Sequence, residues 1–141
     1  MRAALVIMSA LALSGCAFDA MSTKPEVKGL EGAADMQTLY HPDSPVEVTL
    51  RPGGRFELVL KSNPSTGYFW QYKEGLETGV IQDFEYRYEG DPNPGGAVGV
   101  GGNEIFVYEA LKPGKTTLVL GYARSRQTAF ETVSVRVTVR K

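Results

Sequence analysis

The chain has 141 residues, of which 43% are hydrophobic and 22% are charged, and its formal net charge is −1. This composition is typical of one ordinary globular domain and excludes a disordered or fibrous chain. No run of basic residues occurs, so we do not expect nucleic acid as a partner.

The first residues predict export from the cytoplasm. A positive residue, Arg2, precedes an apolar run over 3–13, which is too short to span a membrane and is typical of a secretory signal peptide. Residues 13–16, LSGC, then resemble a bacterial lipobox, in which the cysteine is lipidated and begins the mature chain. The alternative is a chance cysteine in an ordinary signal. We predict a lipoprotein signal peptide over 1–15 and a lipid anchor on Cys16.

The predicted anchor implies a place in the bacterial cell envelope, because several acyl chains on one cysteine hold a domain stably at a membrane. Ala17 follows Cys16, and by analogy with lipoprotein sorting the lack of Asp there favours the outer membrane, facing the periplasm, if the source is Gram-negative. Residues 16–44 show no apolar period and are interpreted as a tether. Within it, Met36 to Tyr40 also fits a short strand at a sheet edge.

From residue 45 to 141, apolar and polar residues alternate as in β-strands, and apolar residues do not recur at the three- and four-residue spacing of a helix. Turn-forming residues divide this domain into seven predicted strands, at about 46–50, 56–60, 68–72, 81–88, 104–111, 116–122 and 133–139. The first two flank the turn 51–54, RPGG, so we expect them to form a β-hairpin. In the last one the valines at 133, 135, 137 and 139 share one face, as in a half-buried antiparallel strand.

Seven short strands at near-regular spacing predict an all-β fold, an immunoglobulin-like antiparallel β-sandwich. A small barrel is the alternative. The Cys-Trp-Cys arrangement of antibody domains is absent, so the likeness concerns the architecture alone.

The residues that catalysis or a cofactor would need are missing. His41 is the single histidine and Cys16 the single cysteine, so neither a hydrolase triad nor a zinc site is expected. Segment 91–96 is a poor calcium loop, because it has two prolines and Gly102 stands where the closing carboxylate would fall. The run GGAVGVGG at 95–102 lacks a Lys-Ser/Thr and leads into a strand, unlike a phosphate loop. We predict a binding protein that is not an enzyme and uses no metal or cofactor.

The most constrained turn lies just before the only tryptophan, Trp70. In residues 62–67, SNPSTG, the proline fixes one φ and the glycine allows a positive φ. Such a loop is nearly preorganised and loses little entropy on docking, although an ordinary connection between sheets has the same composition. The glycine-rich stretch 90–102 is long, and loops of about a dozen residues are more often functional than short ones.

Three short motifs lie in the predicted loops. The central loop is Asn63-Pro64-Ser65-Thr66-Gly67-Tyr68, the glycine loop is Gly99-Val100-Gly101-Gly102, and the arginine loop is Arg124-Ser125-Arg126. In this order they resemble the Asn-Pro-Thr-Thr-Gly-Tyr/Phe, Gly-x-Gly-Gly and Arg-Pro-Trp motifs of the chagasin-like inhibitors of cysteine peptidases. The first motif is fairly specific and the second moderately so, whereas the third keeps only its arginine. The resemblance covers about residues 46–140.

The resemblance implies an immunoglobulin-like sandwich that displays the three loops at one end and binds papain-like peptidases tightly, reversibly and competitively. The central loop would enter the cleft with Thr66 near the catalytic thiolate, flanked by the other two loops. Pro64 and Gly67 would hold the turn, and the glycines at 99, 101 and 102 would allow close backbone approach. Trp70 is expected to support the loop from the core. Loss of the Pro-Trp pair predicts a weakened anchor at the arginine loop. The alternative is that Arg126 pairs with an acidic rim on a particular peptidase.

An alternative function is a non-inhibitory adhesion or assembly module of the envelope, since a fold alone does not fix a function. In either case the membrane is a partner through Cys16, and we expect the domain to be a monomer.

Overall fold

The computed structural model describes residues 36–125 and 128–141. The predicted signal peptide, the lipidated Cys16 and the first part of the tether lie outside the described residues, as does Arg126. Two short 3-10 turns, Pro64–Thr66 and Leu76–Thr78, precede and follow the fourth strand. The strands are β1 Met36–Tyr40, β2 Val46–Leu50, β3 Arg55–Ser62, β4 Phe69–Glu74, β5 Ile81–Gly90, β6 Gly102–Ala110, β7 Gly114–Ala123 and β8 Glu131–Val139.

The strands form two sheets of four, in the order β1-β3-β6-β5 in the first sheet and β2-β8-β7-β4 in the second. Strand β1 pairs with β3 and β2 pairs with β8 in parallel, whereas the other four strand pairs are antiparallel. The predicted immunoglobulin-like β-sandwich is confirmed. The short edge strand expected at Met36 to Tyr40 is also confirmed: it is β1, which adds to the seven predicted strands and lies at a sheet edge within the stretch interpreted as a tether.

The expected hairpin of β2 and β3 is wrong, because these strands belong to different sheets. The turn between them connects the two sheets and is hydrogen-bonded to the last residue of β6. The N–H of Gly53 donates to the carbonyl of Ala110 at 2.7 Å, and the N–H of Ala110 donates to the carbonyl of Gly54 at 2.8 Å. The alternation of apolar and polar residues shows which side chains of a strand share a face, but it does not show which strand is its neighbour in the sheet. Here the apolar faces of β2 and β3 meet across the core.

The core fills the space between the sheets and provides the main stabilising term through the burial of apolar surface. Its members alternate along their strands, as predicted for the last one, where Val133, Val135, Val137 and Val139 are at most 4% exposed. Trp70 is 5% exposed and belongs to the same cluster. In the described part of the chain, no helix has the length and apolar character needed to cross a lipid bilayer.

Strand pairing gathers three connections at one end of the sandwich. The end of β3 and the end of β5 both lie beside the start of β6, and the start of β4 lies beside the end of β7, next to the start of β8. The connections 63–68 and 91–101 therefore share this end with residues 124–125 and 128–130, the described parts of the connection between β7 and β8, and we call it the loop end.

Candidate functional site

The central loop is a compact turn held by its own hydrogen bonds. Pro64–Thr66 form one 3-10 turn, which Gly67 ends with a φ of 79° and an N–H that donates to the carbonyl of Pro64 at 2.9 Å. The N–H and the hydroxyl of Thr66 both donate to the carbonyl of Asn63, at 3.0 and 2.7 Å. Proline at the start and glycine at the end supply the dihedral angles that this turn needs. Residues 64–67 are exposed and project from the loop end.

The side chain of Asn63 joins the central loop to the glycine loop. Its amide nitrogen donates to the carbonyl of Gly99 at 2.9 Å, and its amide oxygen accepts the hydroxyl of Ser65 at 2.5 Å. Asn63 thus makes one local bond and one bond that connects two loops 36 positions apart. The two loops therefore support each other.

The glycines of the glycine loop have different roles. Gly99 has a φ of 77° and is exposed, as is its neighbour Val100. Gly102 is buried, and a Cβ there would lie 2.8 Å from the Cα of Gly90. A Cβ at Gly101 would lie 2.9 Å from the carbonyl oxygen of Ser62. The last two glycines thus allow close packing inside the protein, whereas Gly99 and Val100 form the exposed part of the loop.

A row of aromatic side chains supports the central loop from below. The ring of Tyr122 lies 5.6 Å from that of Tyr68 and 5.2 Å from that of Trp70, between centroids. The hydroxyl of Tyr122 accepts the backbone N–H of Asn63 at 2.9 Å, and the indole N–H of Trp70 donates to the carbonyl of Lys61 at 2.9 Å. Trp70 thus supports the loop from the core, as expected.

The arginine loop meets the central loop through its first residue. The guanidinium of Arg124 lies over the ring of Tyr68, 4.9 Å from its centroid, in a cation–π arrangement. Ser125 is exposed. The structure therefore brings the central loop into contact with both flanking loops, while Arg126 lies outside the described residues.

An ion pair fastens the base of the long connection between β5 and β6. The ammonium of Lys61 lies 2.7 Å from the carboxylate of Asp91, and this hydrogen bond raises the pKa of Lys61. The N–H of Asp91 also donates to the carbonyl of Gly101 at 2.9 Å, which closes the connection. Among the described residues, no group of three or more His, Cys, Asp or Glu side chains is placed to hold a metal ion.

The sequence model of the family described as Chagasin family peptidase inhibitor I42 matches residues 49–139, well over half of the chain. The chain belongs to the chagasin family of peptidase inhibitors. The resemblance that the three motifs carry is thereby confirmed. This chagasin-family chain displays the central loop, the glycine loop and the first two residues of the arginine loop, Arg124 and Ser125, at its loop end.

Relatives agree with this assignment. Amoebiasin-2 of Entamoeba histolytica is 36% identical over 68 residues, which are 48% of this chain and 54% of that protein, so the match spans about half of its length. The crystal structure of the cysteine protease inhibitor EhICP2 from Entamoeba histolytica matches with a TM-score of 0.63 and 24% identity, covering 75% of this chain and 96% of that one. The solution structure of amebosin has a TM-score of 0.60 and 24% identity, covering 75% and 98%. At this identity the two structures show the shared fold.

Two residues of the loop end were not among the residues predicted to bind. Phe130 is 81% exposed in the connection after the arginine loop, and its N–H donates to the carbonyl of Tyr122 at 2.7 Å. An isolated phenylalanine in a polar stretch, AFET, was the available signal. Val98, 99% exposed, lies just before the glycine loop. Together they place apolar side chains on both flanking connections.

Proposed function

We propose that this protein is a reversible, competitive inhibitor of papain-like cysteine peptidases, and that the central loop blocks their active-site cleft. The proposal depends mainly on one observation. The central loop is an exposed turn with internal hydrogen bonds, and residues of the other two family motifs contact it from both sides. Because the turn is already ordered in the free protein, binding costs little conformational entropy. Membership of a family of peptidase inhibitors and the printed name of EhICP2, a cysteine protease inhibitor, support the same function.

The turn geometry explains why the inhibitor would block a peptidase without being cleaved. A nucleophile needs a carbonyl carbon presented in line at about 3 Å. In the central loop the carbonyls of Asn63 and Pro64 instead accept hydrogen bonds inside the turn. The loop therefore fills the cleft but resists opening into the extended form in which a peptide bond is attacked. We expect no peptidase activity from the protein itself.

Thr66 is the residue that we place nearest the catalytic thiolate. Its hydroxyl is occupied within the loop, where it donates to Asn63 and accepts the N–H of Tyr68 at 3.4 Å. The exposed part of the side chain is then small and largely apolar. A negative charge at this position would lose its hydration in the cleft and would be repelled by the thiolate.

The chain contains a matched control for a charge at Thr66. Thr78 ends the other 3-10 turn, where its hydroxyl donates to the carbonyl of Gly75 at 2.9 Å and accepts the N–H of Val80 at 3.3 Å. The following Gly79 also has a positive φ, 65°. This turn follows β4, whereas the central loop precedes it, so the two similar turns lie at opposite ends of the sandwich.

The experiment titrates the full chain, in mild detergent, against papain and a cathepsin L-like enzyme. Wild type should inhibit competitively at or below micromolar concentration. Thr66→Asp should raise the inhibition constant more than tenfold, since one desolvated charge costs at least about 1.4 kcal/mol. Thr78→Asp should leave inhibition unchanged. A wild-type chain without effect at micromolar concentration would refute the function and favour the adhesion or assembly module. Equal inhibition by Thr66→Asp and wild type would refute the placement of the central loop.

We also propose that Cys16 carries the lipid anchor that holds this inhibitor in the bacterial envelope, at the outer membrane. The support is the LSGC sequence at the end of the apolar run. In a bacterial host the full chain should be found in the membrane fraction, and Cys16→Ser should be soluble after export. A Cys16→Ser chain that stays in the membrane fraction would contradict the anchor.

A further inference from the structure

Glu104 is a buried acidic residue that the proposed inhibition does not use. It is the third residue of β6, directly after the glycine loop, and it is 1% exposed. Burying a carboxylate is costly unless its oxygens are hydrogen-bonded. Its contacts should therefore show what the residue does at the loop end.

The carboxylate of Glu104 connects three other strands. Its Oε1 accepts the hydroxyl of Ser62 at 2.5 Å and the backbone N–H of Trp70 at 3.2 Å. Its Oε2 accepts the hydroxyl of Tyr86 at 3.4 Å. Partial burial and then the charge of Glu104 raise the pKa of Tyr86, which agrees with this contact. Of the two partners of Oε1, Ser62 ends β3 just before the central loop, and Trp70 is the second residue of β4 just after it.

The two strands that flank the central loop are not neighbours in a sheet. Strand β3 belongs to the first sheet and β4 to the second, so no ladder of backbone hydrogen bonds sets their separation. The N–H of Trp70 reaches across to the first sheet to meet Glu104. A single carboxylate oxygen therefore binds both ends of the loop that spans the two sheets.

We infer that Glu104 is a positioning residue for the central loop. Together with the indole N–H of Trp70, which donates to the carbonyl of Lys61, it sets the separation of β3 and β4 where the loop leaves and re-enters the sandwich. An apolar side chain of similar size would fill the same space but would leave the Trp70 N–H and the Ser62 hydroxyl without an acceptor. The loop would then keep its sequence and lose its fixed position. The effect on inhibition rests on the proposed function, whereas the effect on loop order does not.

The experiment compares three variants of the full chain. Glu104→Met removes both acceptor oxygens. Glu104→Gln keeps one amide oxygen for Ser62 and Trp70, and its NH2 group can donate to the Tyr86 hydroxyl, so it should rescue the position. Val139→Ala is the control for loss of stability alone, since Val139 is 3% exposed at the end of β8 remote from the loops.

Two readouts separate positioning from general stability. The first is backbone amide hydrogen exchange at Thr66, Gly67 and Trp70, measured by NMR. The second is the inhibition constant for papain. In Glu104→Met, these amides should exchange about tenfold faster or more, and the inhibition constant should be about tenfold higher. In Glu104→Gln, the exchange rates and the inhibition constant should both stay within about threefold of wild type. Val139→Ala should lower the melting temperature and change neither readout at the loop.

The outcomes decide between distinct conclusions. Wild-type exchange at Thr66 and Gly67 in Glu104→Met would overturn the inference, and so would equal acceleration by Val139→Ala. If Glu104→Met does not fold, Ser62→Ala removes the 2.5 Å bond alone and should produce a smaller acceleration at the same amides. A wild-type chain that fails to inhibit papain would refute the proposed function, and the exchange pattern would still decide the role of Glu104.

Discussion

The substitution Tyr122→Phe tests whether order in the central loop controls inhibition. It removes one hydroxyl, which accepts the N–H of Asn63 at 2.9 Å, and leaves the ring that packs against Tyr68 and Trp70. Asn63 and Tyr122 are both half-buried, so water replaces the lost bond only in part. A net loss of about 1 kcal/mol corresponds to about fivefold in an equilibrium constant. The inhibition constant for papain should therefore rise two- to fivefold.

A matched control exists for this substitution. The hydroxyl of Tyr72 likewise accepts a backbone N–H at the start of a 3-10 turn, that of Leu76 at 3.0 Å, and it also contacts Glu77. Because this turn lies away from the loop end, Tyr72→Phe should lower thermal stability to a similar extent and leave the inhibition constant unchanged. Competitive titration with a fluorogenic peptide measures both variants. An unchanged constant in Tyr122→Phe, or equal weakening in Tyr72→Phe, would refute the reasoning.

Two further predictions concern the exposed Phe130 and the dependence of stability on pH. Phe130→Ala should weaken inhibition by up to about thirtyfold, because truncating an aromatic anchor often costs about 2 kcal/mol; unchanged inhibition would remove Phe130 from the interface. Its side chain is 81% exposed, so the melting temperature should not change. Hydrogen bonds from Gln82 and then Arg55 lower the pKa of Glu109 below its ordinary 4.5. A lowered folded-state pKa stabilises the fold above the unfolded pKa, and this contribution is lost as the pH falls through the folded pKa. Glu109→Gln should thus be less stable than wild type at pH 7, with the difference shrinking below pH 4.5; parallel melting curves at all pH values would contradict this.

Much of the fold was predictable because strand alternation is a local property. The buried valines of β8 and the positive φ of Gly67 both follow from the residues themselves. The pairing of β2 was not predictable in this way, because a short turn with two glycines is compatible with a hairpin and with a crossing between sheets. Hydrogen bonds to Ala110, remote in sequence, decided between them.

The candidate site likewise has features that depend on adjacent residues and features that depend on the whole fold. Its three motifs could be found in the sequence, since each is a run of adjacent residues. Two of the residues that hold the central loop, Tyr122 and Glu104, could not, because they reach it from positions far along the chain. Tyr122 binds Asn63 across 59 positions, and Glu104 binds Ser62 across 42. Phe130 was missed because the sequence does not show that this isolated phenylalanine is exposed at the loop end.

The sequence by itself determined the strand faces, the turn geometry of the central loop and membership of the chagasin family. Steric limits on φ and ψ and the two-residue period of a strand act between near neighbours, so they can be read from a short stretch. Only the tertiary structure decided which strands share a sheet, which residues support the loop and that a buried carboxylate, Glu104, links its two ends. These depend on burial and hydrogen bonding summed over residues that meet only when the whole chain has folded.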